Sequence, residues 1–330
     1  MEELNELKDY TMDSYVVGID VGGQTSKIGV VDARGDVLAQ KVIRTDTYGT
    51  DADAYIKALA AAVKETIKDS GKEGLIRGIG VGAPNGNFYT GEVAFAPNIA
   101  WAANQAVPFA KLLSEEMGGI SVSLTNDANA AAVGEMTYGA ARGMKNFIMI
   151  TLGTGVGSGI VINGQVVYGH DGFAGELGHV CVVRHNGRQC GCGRSGCLEA
   201  YCSATGVART AREWLEMSNE PSLLRDVDKI SSKDVYDAAK EGDAVALKIF
   251  EYTGTLLGTA FSDFIAFSAP EAIVLFGGLA RSKEFLTEHI EKAMNDNVLK
   301  IWKNKVKLVY SSLKESDAAI LGASALAWEL

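Results

Sequence analysis

Apolar residues fill the short run from Tyr15 to Asp20, the pattern of a strand buried on both faces. A Gly-Gly turn follows, then a second apolar stretch over 27–32 and a hairpin turn signal at Ala33-Arg34-Gly35-Asp36. Residues 51–69 change to helical spacing, and Gly71 ends the helix. Ile76–Gly82 reads as a buried strand, 108–117 as a helix and 121–124 as another strand. That strand runs straight into Asn126-Asp127-Ala128-Asn129, a helix start.

The second half of the chain opens like the first. Ile19–Asp32 (IDVGGQTSKIGVVD) aligns without a gap on Ile150–Asn163 (ITLGTGVGSGIVIN). Both give strand, glycine-rich turn and strand, so the pattern is a weak internal repeat of two α/β halves. Residues 204–217 and 232–268 are mostly helical, Ala272–Phe276 is a buried strand ending in Gly277-Gly278, and 317–330 forms a closing helix. The expected division is a smaller domain over 1–125 completed by 317–330, and a larger one over 126–316. Residues 1–14 are polar and acidic, a frayed helix or a tail to which no function is assigned.

Composition narrows the function classes. The chain has 330 residues, 47% of them hydrophobic, and only 5 prolines, which suits a folded protein of two domains. A net charge of −10 argues against nucleic acid or an anionic membrane as the main partner. The sequence shows no signal peptide and no apolar run of spanning length, so a cytoplasmic, reducing location is expected.

Glycine-rich turns after strands let phosphate approach backbone amides without meeting side chains. The turns carrying Gly22-Gly23 and Gly153-Thr154-Gly155 occupy equivalent places in the repeat, and two such turns weigh more than one. Gly277-Gly278 could accept the flat face of a nucleotide. Neither a P-loop nor a dinucleotide fingerprint is present, which disfavours P-loop NTPases and nicotinamide enzymes.

His179, Cys190, Cys192 and Cys197 lie at a spacing that can close around one zinc ion, with glycines between the cysteines for tight turning. Four protein ligands leave no open position, so the metal would be structural. The alternatives are free thiols or a disulfide, the latter disfavoured in a reducing compartment. Cys181 and Cys202 fall outside the pattern and read as core residues. Glu176 and Glu199 are interleaved with the ligands, and Glu176 lies three residues before His179, a spacing that puts both on one helical face. His170, His185 and His289 have no partner pattern and read as surface or packing residues.

Several motifs together resemble the ROK group of sugar kinases, repressors and related proteins, over residues 15–330. They are Asp20-Val21-Gly22-Gly23, Ala96-Pro97-Asn98-Ile99-Ala100-Trp101, Asn126-Asp127-Ala128-Asn129, Leu152–Gly157, Glu176-Leu177-Gly178-His179, Cys190–Glu199 and Phe276-Gly277-Gly278. Tyr201–Gly206 makes the chain most similar to the bacterial glucokinases of that group. The resemblance implies an α/β, two-domain, actin-like (ribonuclease-H-type) ATPase fold with a duplicated βαβ core, an inter-domain cleft and hinge closure. It implies a homodimer or tetramer.

It also implies transfer of phosphoryl from ATP to the 6-hydroxyl of a hexose, with D-glucose as leading substrate and Mg2+ accompanying the nucleotide. N-acetylglucosamine, N-acetylmannosamine, fructose and mannose are the alternative substrates. An inactive sugar-sensing regulator is the remaining alternative. A repressor of the group would carry an N-terminal helix-turn-helix domain, and here only about 14 residues, acidic as a stretch, precede the first strand.

By the same resemblance Asp127 is the general base, although taken alone it reads as an N-cap. A helix N-terminus is expected to lower its pKa. Asn98, Asn126, Asp127, Glu176, His179 and Glu199 resemble the sugar ligands; the bland reading of Glu176 and Glu199 is a solvated carboxylate. If zinc takes one His179 nitrogen, the other can reach a sugar hydroxyl. Asp20 would hold magnesium through water, and Gly22, Gly23, Thr154 and Gly155 would contact phosphate. Gly277 and Gly278 would border the adenosine. Lys27 neutralises phosphate charge or points to solvent. Gln24 departs from the Thr usual in the group, which puts its phosphate contact in question.

Overall fold

A computed structural model of the chain describes residues 14–330, so the reading of 1–14 as a frayed helix or tail lies outside the described residues, Ser14 excepted. The chain divides into two compact units. The first runs to Arg142 and takes in Tyr168–Ala174 and Leu313–Leu330; the second holds Gly143–Val167 and Gly175–Ser312.

The first unit contains strands β1 (Tyr15–Val21), β2 (Thr25–Asp32) and β3 (Val37–Arg44), helix α1 (Ala52–Ser70) and strand β4 (Ile76–Gly82). A two-strand ribbon, β5 (Val93–Ala94) with β6 (Ala106–Val107), then α2 (Phe109–Glu116), β7 (Val122–Thr125) and α3 (Asp127–Thr137) follow. The sheet order is β3-β2-β1-β4-β7. β1 is antiparallel to β2 and parallel to β4, so it lies inside the sheet, as its apolar run requires. The 33–36 turn closes on Asp32, whose Oδ1 accepts the amides of Arg34 and Asp36, both at 2.9 Å. Asp51 caps α1 by accepting the Ala54 amide at 2.9 Å, and Gly71 ends it in the left-handed region.

The second unit holds β8 (Phe147–Leu152), β9 (Val156–Ile162), β10 (Gln165–Val166), α4 (Glu199–Cys202), α5 (Ala204–Met217), α6 (Ser232–Lys240), α7 (Ala244–Ser268), β11 (Ala272–Phe276), α8 (Lys283–Asn297) and β12 (Lys307–Tyr310). Its sheet order is β10-β9-β8-β11-β12. β8 pairs antiparallel with β9 and parallel with β11, and β11 pairs parallel with β12. That is the topology of the first sheet strand for strand, so the repeat seen in the sequence is a duplication of the fold. The helical stretch 232–268 is broken at Gly242 (φ +82°), after which Asp243 caps α7 through the Ala246 amide at 2.9 Å.

The closing helix, α9 (Glu315–Ala327), packs in the first unit on the face of β1 and β4. Glycines in those strands make its seat. A Cβ at Gly18 would lie 2.1 Å from Ile320 O, and one at Gly80 would lie 1.9 Å from Ala323 O. The unit boundary differs from the expected 125. α3 belongs with the first unit because Gly134 lets it meet α9 closely, where a Cβ would be 2.7 Å from Gly322 Cα. No helix among the described residues is long and apolar enough to cross a membrane.

Candidate active site

In the first unit the turn between β1 and β2 is held by its own backbone: Gly22 N donates to Thr25 O at 3.0 Å. Gln24 contributes its carbonyl to the Thr45 amide at 2.8 Å, while its side chain is exposed. Behind the turn the buried Ser26 hydroxyl lies 2.8 Å from Thr45 Oγ1 and 2.7 Å from Tyr55 Oη. The Tyr55 ring stacks on Trp101 at 4.9 Å, and Trp101 on Phe109 at 5.8 Å. Trp101 ends the Ala96–Trp101 motif, so this slab fixes the loop carrying Asn98. The loop touches the turn directly: a Cβ at Gly23 would lie 2.4 Å from Asn98 O.

Two carboxylates share this region. Asp20 stands opposite Lys27 in the β1–β2 register. Burial, and then the charge of Asp127, push its pKa up to about 6 against the opposing pull of Lys27. The Lys27 charge is thus near enough to act on Asp20. Asp127 is not the cap of α3. Asn126 is: its Oδ1 accepts the Asn129 amide at 2.7 Å, and Asp127 follows as the first helical residue.

The expectation that the helix N-terminus lowers the Asp127 pKa is corrected by the structure. Solvent reaches one side of Asp127, yet the protein packed around it desolvates the carboxylate and raises its pKa. The Ala128 amide, donating to Asp127 Oδ1 at 2.9 Å, opposes the rise without cancelling it.

In the second unit, Glu176 and His179 flank a single 3-10 turn, Leu177–His179. His179 Nε2 lies 3.9 Å from Glu176 Oε2, so the two side chains face one way, as their spacing predicts. The turn rests on β9. Ser158 Oγ donates to Gly175 O and accepts the Leu177 amide at 3.1 Å. Gly178 permits the contact, since a Cβ there would lie 2.0 Å from Val156 O. Glu199 reaches the same strand from the other direction: its Oε2 accepts the Val156 amide at 2.9 Å. Sequence reasoning missed Ser158 and the Glu199–Val156 bond; the second spans 43 residues and leaves no local signal.

The second glycine turn is closed by Gly153 N donating to Gly155 O at 3.0 Å. Among the described residues no acceptor takes the Thr154 or Gly155 amide. Gly277, at φ +103°, packs against the end of β8, where a Cβ would lie 2.6 Å from Leu152 O. Gly278 beside it faces open space. Thus Thr154, Gly155, Gly277 and Gly278 gather at one end of the second sheet.

The ligand atoms of His179, Cys190, Cys192 and Cys197 all lie within 4.8 Å of one another. Cys192 Sγ is 3.7 Å from Cys197 Sγ, and Cys190 Sγ is 3.8 Å from His179 Nδ1. A tetrahedral zinc with Zn–S bonds of about 2.3 Å sets neighbouring ligands about 3.8 Å apart, so the four groups fit such an ion. Nδ1 of His179 faces the cysteines and Nε2 faces Glu176. Cys190 Sγ is also 3.5 Å from Glu199 Oε1. Cys181 and Cys202 are outside this set of ligand atoms: Cys202 is a core residue buried against Thr253 O, whereas Cys181 is half-buried rather than core, its Sγ near Val183 O and its backbone bridged to Cys197. His170 and His185 are exposed and His289 is half-buried in α8.

Comparison with known proteins agrees with this arrangement. Residues 16–329 match the ROK family, and the chain belongs to it. A glucokinase of Halalkalibacterium halodurans is 39% identical over 85% of each chain. A glucokinase of Thermotoga maritima is 35% identical over 94% of this chain and 96% of its own. The structure of a ROK family glucokinase from Streptomyces griseus, in complex with glucose and AMPPNP, superposes with a TM-score of 0.77 at 31% identity, covering 96% of this chain and all of that one. The two like sheets, each with its glycine turn, are therefore the two halves of a ROK sugar kinase with the actin-like ATPase fold.

Proposed function

We propose that this protein transfers the γ-phosphoryl group of ATP to the 6-hydroxyl of D-glucose. One observation carries the reading. Glycine turns stand at equivalent places in two like sheets, each in contact with a residue of sugar-binding type: Gly23 with Asn98, Gly155 with Glu199. The glucokinase relatives, and the glucose and AMPPNP held by the Streptomyces griseus enzyme, support both substrates.

Asn98, Asn126, Glu176, His179 and Glu199 bind the sugar hydroxyls, amides and carboxylates suiting their mixed donors and acceptors. Asp127 accepts the proton of the 6-hydroxyl as that oxygen bonds to the γ-phosphorus and the bond to the departing ADP breaks. Its raised pKa brings it nearer to the operating pH and makes it a better base than an ordinary carboxylate. Gly22, Gly23, Gln24, Lys27, Thr154 and Gly155 contact phosphate, with the Thr154 and Gly155 amides as donors. Gly277 and Gly278 border the adenosine.

Asp20 would hold magnesium through water, and the ion, when bound, would offset charge on the nucleotide phosphates. Zinc suits the four-ligand cluster as a structural ion. His179 would be held there through Nδ1, leaving Nε2 beside Glu176 for a hydroxyl.

The test is a coupled ADP-release assay with MgATP against glucose, mannose, fructose, N-acetylglucosamine and N-acetylmannosamine. A glucose preference of about tenfold or more in kcat/KM, about 1.4 kcal/mol of discrimination, is the expected result. Preference for an acetylated sugar would replace the substrate and keep the transfer. No turnover with any sugar, in protein that still binds sugar, would replace the kinase with a sensor.

A further inference from the structure

The segment Glu199–Thr205, which spans α4 and the first residues of α5, grips the second glycine turn at three of its four residues. Thr205 Oγ1 donates to Thr154 O at 2.9 Å. The Ala204 amide donates to Gly153 O at 2.8 Å, and Glu199 Oε2 accepts the Val156 amide at 2.9 Å. The fourth residue, Gly155, is as close as a glycine allows, since a Cβ would lie 2.4 Å from Glu199 Oε2. The segment is itself rigid. Ser203 Oγ caps α5 by accepting the Gly206 amide at 3.0 Å and donates to Glu199 O at 2.8 Å.

A turn containing Gly153 and Gly155 has wide conformational freedom when unsupported. Ligand binding would have to order it, and that cost would appear as lost affinity. The clamp orders it beforehand and leaves the Thr154 and Gly155 amides outward. Thr205 is the side chain in the clamp that reaches Thr154, the residue between the two glycines, and its Oγ1 also lies 2.9 Å from Ser203 Oγ, so the hydroxyl ties the turn to the cap of α5.

We propose that Thr205 is a positioning residue for the nucleotide, holding the turn Gly153–Val156 in its phosphate-accepting shape. The proposal rests on the reading of that turn as a phosphate site. Thr205→Val keeps the shape of the side chain and removes the hydroxyl; Thr205→Ser restores it. Binding of AMPPNP and of glucose is measured separately by calorimetry, with KM for MgATP and glucose alongside.

Of the two contacts the hydroxyl makes, loss of the bond to Thr154 O, about 1 kcal/mol, predicts a rise of about fivefold in Kd for AMPPNP and KM for MgATP in Thr205→Val. Glucose affinity stays unchanged and Thr205→Ser returns the parent values. Loss of affinity for both ligands together would mark a general structural role and overturn the proposal. So would AMPPNP binding by Thr205→Val equal to the parent's, which would leave the kinase reading standing. A parent protein that binds no AMPPNP would overturn the phosphate reading of the turn and the role of Thr205 with it.

Discussion

Asp20→Asn should stabilise the protein in the absence of magnesium and nucleotide, and only at pH above the ordinary carboxylate range. The folded chain holds the Asp20 proton to about pH 6, whereas an unperturbed aspartate releases it near 3.8. Between those values the folded state binds more protons than the unfolded state, so stability falls as pH rises. The shift of about two units, at about 1.4 kcal/mol per unit, sets the full cost at about 3 kcal/mol, reached above pH 6. Below the unfolded value both states are protonated and the cost vanishes. Asparagine cannot ionise and removes the cost, although it also gives up the weaker attraction of Lys27.

Roughly 2 kcal/mol of the difference therefore opens between pH 4 and pH 8. For a protein of this size that is an increase of about 3 °C in the Tm advantage of the variant. Thermal unfolding of parent and variant at the two pH values, without added magnesium, measures it. At the same time kcat/KM for MgATP should collapse, because the carboxylate that raises the cost is the one assigned to magnesium. An offset in Tm that is the same at pH 4 and pH 8, of either sign, would refute the reasoning.

Three further changes test other parts of the molecule. Asp127→Ala should remove nearly all turnover while glucose binding, read by calorimetry, survives; a kcat equal to the parent's would end its assignment as base. Cys192→Ala should lose zinc by elemental analysis and raise KM for glucose through His179, and parent protein purified without zinc would break that link at the outset. Gly80→Ala should destabilise the first unit by about 3 kcal/mol, because a Cβ 1.9 Å from Ala323 O forces α9 off the sheet; unaltered urea unfolding would show that α9 is not seated as described.

How much of this was legible in the sequence depended on whether the cause was local. β1, β4, β8 and β11 are apolar runs inside sheets and announce themselves. β3 does not. Its half-buried face carries Val37, Ala39, Lys41 and Ile43, while Leu38 and Val42 point to solvent, so hydrophobicity does not alternate in step with burial. β12 is four residues at a sheet edge, too short for a period to show. α8 buries Leu286, Ile290, Ala293 and Met294, a helical spacing that was there to be read. The placement of α3 in the first unit follows from Gly134 meeting Gly322 across more than half the chain, which no local pattern records.

The site divides along the same line. Cysteine, histidine and glycine are restricted enough in their uses that spacing alone brought His179, Cys190, Cys192 and Cys197 together before any contact was seen. The direction of the Asp127 pKa was not accessible, because the helix terminus is a local effect visible in sequence and desolvation is not. Gln24 shows the reverse case, an apparent anomaly that the fold resolves. The shape of the first glycine turn is held by backbone bonds, Gly22 to Thr25 and Gln24 O to Thr45, and by the buried Ser26, Thr45 and Tyr55 hydroxyls behind it. None of these uses the Gln24 side chain, which is exposed. The turn can therefore keep its form with glutamine at this position, and under the proposed phosphate role the longer amide at its rim would change what a phosphate meets there without changing the turn itself.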